Sequence, residues 1–99
     1  MTKKKETYPQ EYIALASYLK VLSHPARISI LKLLESRDTC ICNDIVQELP
    51  LAQATVSQHL KALKQAGLIQ GNITPPSVKY CLNRENWQHT RQVLKKFFD

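Results

Sequence analysis

Ninety-nine residues carrying fourteen Lys and Arg against eight Asp and Glu, a formal charge of +6, make one small basic domain. A chain this short buries only about two-thirds of the surface its unfolded form exposes, so its core is modest and a second subunit is a natural supplement. No segment approaches the roughly 20 apolar residues needed to cross a bilayer, and the opening MTKKKETYPQ is basic with no apolar signal region after it. Neither a spanning nor a secreted protein is expected; the expected place is the cytoplasm.

The charge suits a polyanion such as nucleic acid, although solubility alone also accounts for it. Three cysteines in a reducing compartment argue against a disulfide framework and leave buried, metal-binding or redox-active thiols. Residues 1–10 read as a flexible basic tail and residues 11–99 as the folded domain.

Tyr12, Leu15, Ala16, Leu19 and Leu22 recur at helical spacing, which predicts an amphipathic helix from Glu11 to about Leu22. SHPAR then breaks and restarts the chain. Pro25 suits the first turn of a second helix with Ser23 or His24 as its cap, and Ile28, Ile30, Leu31, Leu33 and Leu34 make that helix apolar nearly all round. It belongs in the middle.

Thr39 to Ile41 is a short β-friendly run, after which Asn43 or a neighbour caps a brief helix whose Ile45, Val46 and Leu49 face inward, and Pro50 ends it. From about Gln53 the next helix puts Val56, Leu60 and Leu63 on one face, and Gly67 supplies its left-handed C-terminal cap. Thr55, Ser57, Gln58 and Lys61 are left outside.

Leu68 to Ile73 and Ser77 to Leu82 read as two strands around a turn stiffened by Pro75 and Pro76. Arg84 to Phe98 completes the chain as a helix with Trp87, Leu94 and Phe98 along one stripe and Val93 and Phe97 beside it. So much aromatic surface on a terminal helix predicts a dimer that hides it.

A short helix turned tightly into a longer one and followed by a β-hairpin is the order of a winged helix-turn-helix: mostly α, with about five helices and two to three strands. Its outward residues suit the role. Gln, Ser and Thr side chains can both donate to and accept from base edges, and Lys61, Lys64 and Lys79 can neutralise phosphates. The same residue types also make an ordinary polar surface.

LSHPARISILKLL, then TCICNDI, then TVSQHLKALKQAGLI, closely resembles the ArsR/SmtB family of bacterial winged-helix repressors from about Glu11 to the end. The resemblance implies a homodimer paired through its first and last helices, through residues such as Tyr12, Leu15, Leu19, Trp87, Leu94, Phe97 and Phe98. It also implies binding to an inverted-repeat operator in double-stranded DNA, released by an inducer. By motif position the major-groove residues fall on Gln53, Ala54, Ser57 and Gln58, with Thr55 and His59 nearby.

His59 has two readings, contact with a phosphate or base, or packing beneath the helix with its nitrogens satisfied. This chain departs from the family in two places. Ala52 stands where many relatives carry a capping Ser, and the wing tip NITPPSVK offers few cations to a minor groove, leaving Lys79 and backbone groups.

Members of the family that sense metalloids or soft metals carry a Cys-x-Cys where Cys40 and Cys42 fall here. Thiolates favour As(III), Cd, Pb, Cu(I) or Zn. In a helix residues i and i+2 lie about 200° apart, whereas in extended chain they share a face. If Thr39 to Cys42 pairs with Val78 to Leu82, Ile41 joins Val78, Tyr80 and Leu82 inside, and Cys40, Cys42 and Cys81 share the outer face.

Two outcomes follow: a three-thiolate site for a soft metal or metalloid, or a Cys40 and Cys81 pair close enough to oxidise. Cysteine also packs as a small hydrophobe, so a purely structural role stands beside both. The family's other metal site, built from Asp and His residues on the last helix, is expected to be absent, since Glu85, His89 and Asp99 alone are candidates there and a lone His on a basic helix is more often a surface residue.

An enzyme is not expected, since a thiol enzyme on Cys40 or Cys42 needs a positioned base and a pocket that no pattern supplies. A redox-responsive or ligand-independent regulator of the same fold is the alternative to the metal sensor. A module that uses the fold without reading bases is the third.

Overall fold

The computed structural model describes residues 7–37, 40–42, 46, 49–74 and 77–99, with 72–74 and 77 as backbone only. Four helices and three strands are formed among them: α1 (Gln10–Val21), α2 (Pro25–Glu35), β1 (Ile41–Cys42), α3 (Gln53–Gln65), β2 (Ile69–Thr74), β3 (Ser77–Leu82) and α4 (Arg84–Phe98). The expected fifth helix falls mostly outside the described residues. Its Val46 is helical and fully buried, as expected, and the turn at Pro75 and Pro76 lies outside as well.

The strands make one antiparallel sheet in the order β1-β3-β2. β2 and β3 pair from Ile69 opposite Leu82 to Thr74 opposite Ser77, and β1 adds Ile41 opposite Tyr80 and Cys42 opposite Lys79. β1 therefore lies on the other edge of the last wing strand, and the pairing entertained for Cys40 to Cys42 with Val78 to Leu82 is met at Ile41 and Cys42.

The core gathers Ile30, Leu31 and Leu34 of α2, Ile41 of β1, Val46, and Val56, Leu60 and Leu63 of α3, closed by Leu68, Ile69 and Leu82. The outer side of α2 differs from the expectation of a helix enclosed all round: Ile28 is 46% exposed. The neighbouring α1 has no buried residue of its own.

The start of α2 and the end of α3 each have an identifiable cause. Pro25 opens α2 with its ring where no amide is needed, and the His24 Nδ1 accepts the Ala26 N–H at 3.0 Å as the cap. Gly67 carries the positive φ of 78° that ends α3 in the left-handed conformation. Its carbonyl accepts from Asn86 Nδ2 at 2.8 Å, and Asn83 Oδ1 accepts the Asn86 N–H at 3.1 Å, so the end of α3 is tied to the start of α4.

A second tie holds α4 to α2. The Trp87 indole N–H donates to the Glu35 carboxylate, to which Lys32 and Arg91 each come within 3.5 Å. The hydrogen bond from Trp87, with Lys32 and Arg91 adding, holds Glu35 below its usual 4.5 against the opposite push of burial. The two exposed ion pairs add little on their own.

Leu63 is fully buried in the middle of this core. Leu63→Ala is expected to lower the free energy of unfolding by about 2–5 kcal/mol in a urea melt. A loss of less than about 1 kcal/mol, the range of a surface change, would contradict the packing described.

Candidate nucleic-acid interface

α3 is divided lengthwise. Val56, His59, Leu60 and Leu63 are buried, at the i, i+3, i+4 and i+7 spacing of one helical stripe. Gln53, Ala54, Ser57, Gln58, Lys61 and Lys64 are exposed and Thr55 is half-buried at the margin. The outer side thus presents amide and hydroxyl groups in its first two turns and lysines in its last two.

No side chain caps the start of α3, because Ala52 is the N-cap residue and carries no acceptor. The first N–H groups of the helix remain for water or an anion. Lys79 is exposed on β3, opposite Asn72 of β2.

His59 is corrected from a DNA-facing candidate to an internal one. It is 8% exposed because position 59 falls inside the apolar stripe, and its second reading is the one the structure carries. Arg27 Nε donates to His59 Nδ1 at 3.1 Å and Arg27 Nη1 to the Val21 carbonyl at 3.2 Å, while the His24 ring lies 4.2 Å away centre to centre. The Nδ1 acceptor places the neutral proton on Nε2, which is buried with no hydrogen-bond partner among the described residues, so only half of the expected satisfaction is met there.

The α1 and α4 candidates divide as well. Tyr12, Leu19, Phe97 and Phe98 are 58%, 42%, 62% and 75% exposed, with Leu15 and Leu94 half-buried. Glu11, Tyr12, Leu15, Val93, Lys96 and Phe97 line a groove of about 340 Å³ between the two helices, bridged by Lys96 and Glu11 at 3.6 Å. Trp87 is half-buried: it packs against its own core and gives its indole N–H to Glu35.

The sulfurs lie where the pairing of β1 with β3 put them. Cys40 and Cys81 are joined as a disulfide with their Cα atoms 4.3 Å apart, and Cys42 is a free exposed thiol opposite Lys79. Of the two expected outcomes, the joined Cys40 and Cys81 pair is the one that this form of the chain carries. A disulfide offers no thiolate, and no three His, Cys, Asp or Glu side chains gather as metal ligands among the described residues. The residues in this form do not fit a soft-metal site.

A buried anchor stripe, a polar outer face on the second helix of a helix-turn-helix and a three-stranded wing define a winged-helix DNA-binding protein. A sequence profile described as bacterial regulatory protein, arsR family, matches residues 24–70. The arsenical resistance operon repressor of Staphylococcus xylosus is 35% identical over 83 residues, 84% of this chain and 79% of that protein. A CadC homolog described as a cadmium resistance transcriptional regulatory protein, from Staphylococcus aureus, is 30% identical over 96 residues, 96% of this chain and 76% of that one.

The fold alone is matched by an ArsR-like transcriptional regulator from Rhodococcus sp. RHA1, with a TM-score of 0.71 at 23% identity over 90% of this chain and 83% of the other. The chain belongs to the ArsR family of transcriptional repressors: it is a DNA-binding regulator and not an enzyme.

His59 carries a consequence for acid stability. Its burial, then the charges of His24 and Arg27, hold it below the ordinary 6.5. An unfolded histidine takes its proton at higher pH than the folded one, so this contribution is whole above that ordinary value and is lost as pH falls through the folded one. Thermal melts should show the chain losing more stability than His59→Gln between about pH 7.5 and about pH 5.5, a window above the Glu35 titration. Parallel losses in both proteins would contradict the assignment.

Proposed function

We propose that two copies of this chain form a repressor that lies across an inverted-repeat operator, each copy laying the outer face of α3 in a major groove. The observation that carries the reading is the division of α3, with Val56, Leu60 and Leu63 holding the helix while Gln53, Ser57 and Gln58 stand free. A Gln side chain can bond an adenine edge in bidentate fashion, Ser can bond either kind of edge, and Ala54 or Thr55 can meet a thymine methyl. Lys61, Lys64 and Lys79 are assigned to phosphates, where they position the protein without reading sequence.

Pairing through α1 and α4 supports the reading, because Tyr12, Leu19, Phe97 and Phe98 leave an apolar surface on those helices that a second copy would cover. A two-fold pair would present its α3 helices to successive grooves roughly 34 Å apart. Phe97→Asp is expected to shift the chain from dimer to monomer in sedimentation velocity and to weaken operator binding with it. A variant that stays dimeric would move the interface elsewhere.

As to the inducer, the two staphylococcal relatives are described by resistance to arsenicals and to cadmium. We assign the inducer of this chain to the same soft, thiophilic class, with Cys40, Cys42 and Cys81 in their reduced state as its ligands.

Fluorescence anisotropy on a duplex from the chain's own upstream region tests the DNA reading. Affinity should fall steeply with salt. Lys61→Ala should weaken binding to all sequences alike and flatten the salt slope by about one unit, whereas Gln58→Ala should cost about 1–3 kcal/mol on the operator and relax base preference at one position per half-site. If neither substitution changes preference or salt slope, α3 is not the reading element.

A further inference from the structure

Extending the register of β1 with β3 by one residue sets Cys40 opposite Cys81, and the alternation of an extended chain sets Cys42 on the same face. All three sulfurs therefore lie on the side of the sheet away from Ile41, Tyr80 and Leu82. Cys40 and Cys42 are exposed and Cys81 is half-buried, so reagents reach them. Lys79, exposed across from Cys42, adds positive charge to the same face and draws anionic reagents to it.

A protein that works on DNA works among reducing thiols, and a disulfide formed there is as a rule transient and responsive rather than architectural. An exposed disulfide is also the kind that exchanges readily. The pair lies next to a backbone ladder that also joins β1 to β3, at Ile41 with Tyr80 and Cys42 with Lys79. Its closure does have one chemical effect, which is to withdraw two of the three sulfurs from any other partner.

We propose that Cys40 and Cys81 are a reversible redox pair, closed by low-molecular-weight disulfides and opened by low-molecular-weight thiols, and that closure shuts off the thiol face to a thiophilic cation. The second half rests on the soft-ion reading of these residues given above. In closing, the thiolate of one cysteine attacks a sulfur of the small disulfide RSSR, forming a mixed disulfide and releasing RS⁻. The second thiolate attacks the protein-bound sulfur, forms the Cys40 to Cys81 bond and releases the second RS⁻. Two electrons pass from the cysteine pair to RSSR, and the two protons given up by the cysteines end on two RSH.

The test uses the full chain, glutathione as the redox probe and Cd²⁺ as the ion. After equilibration with oxidised glutathione, maleimide labelling with peptide mapping should find one reactive thiol, Cys42, and with reduced glutathione three. With the glutathione removed under anaerobic conditions, the reduced chain should take one Cd²⁺ with the near-ultraviolet absorption of a thiolate complex. The oxidised chain should show none of that absorption until it is reduced again. Cys42→Ser should close as the parent does, and Cys81→Ser should not close at all.

The proposal is overturned if three thiols stay free in oxidised glutathione, if the bond forms within Cys40 and Cys42 or between chains, or if the oxidised chain takes Cd²⁺ as the reduced one does. If the pair cycles but neither form takes Cd²⁺, the soft-ion reading and its gate fall while the redox pair stands. Free thiols with intact Cd²⁺ binding would leave the soft-ion reading and remove the switch.

Discussion

The inner stripe of α3 is the contact on which everything else in this molecule depends. Val56, Leu60 and Leu63 dock against Ile30, Leu31 and Leu34 of α2 and against Leu68, Ile69 and Leu82 at the foot of the sheet. Burying large aliphatic side chains is worth about 1.5–3 kcal/mol apiece relative to exposure, so this stripe fixes the rotation of α3 about its own axis. Once that rotation is fixed, the opposite face has to carry Ser57, Gln58 and Lys61 outward. The ends are fixed separately, with Gly67 and Asn86 clasping the C-terminus, while the N-terminus is left without a side-chain cap and open to an anion.

A similar logic of parity governs the sulfurs. Because side chains alternate along a strand, seating Ile41 in the core forces Cys40 and Cys42 to the other side, and the antiparallel register then brings Cys81 to Cys40. A slip of one residue would reverse the arrangement, burying the cysteines and exposing Ile41. The position of the disulfide is thus a by-product of hydrophobic patterning. The same ladder joins the segment leading into the helix-turn-helix to the last strand of the wing.

Periodicity and turn chemistry made much of this readable beforehand. The bounds of α4, the cap at Gly67 and the divided face of α3 follow from spacing and from Gly, Pro and apolar positions, which act locally, whereas the pairing of β1 with β3 was expected from the winged-helix fold. What stayed open concerns which side a residue turns to. His59 had two readings, and although it sits at i+3 from Val56, within the stripe, its polarity kept the DNA-facing one alive until Arg27 was seen to satisfy one nitrogen. Its position alone was the available signal.

Trp87 was read as part of the aromatic stripe of the last helix, and its indole N–H required an acceptor that only the fold reveals to be Glu35. Thr90, fully buried and bonded by its hydroxyl to the Asn86 carbonyl at 2.8 Å, passed unnoticed because a threonine in a basic helix gives no hint of burial. Ile28 erred the other way. Apolar residues on every side of a helix do not show which side lacks a neighbour.

The most direct check on the orientation of α3 is a map of backbone amide shifts, recorded by NMR as the labelled protein is titrated with its operator duplex. The account predicts the largest changes at Gln53 to Gln58 and at Lys61, smaller ones near Lys79, and little at Tyr12 or Phe98. Shifts centred on α1 and the end of α4, with α3 undisturbed, would contradict it.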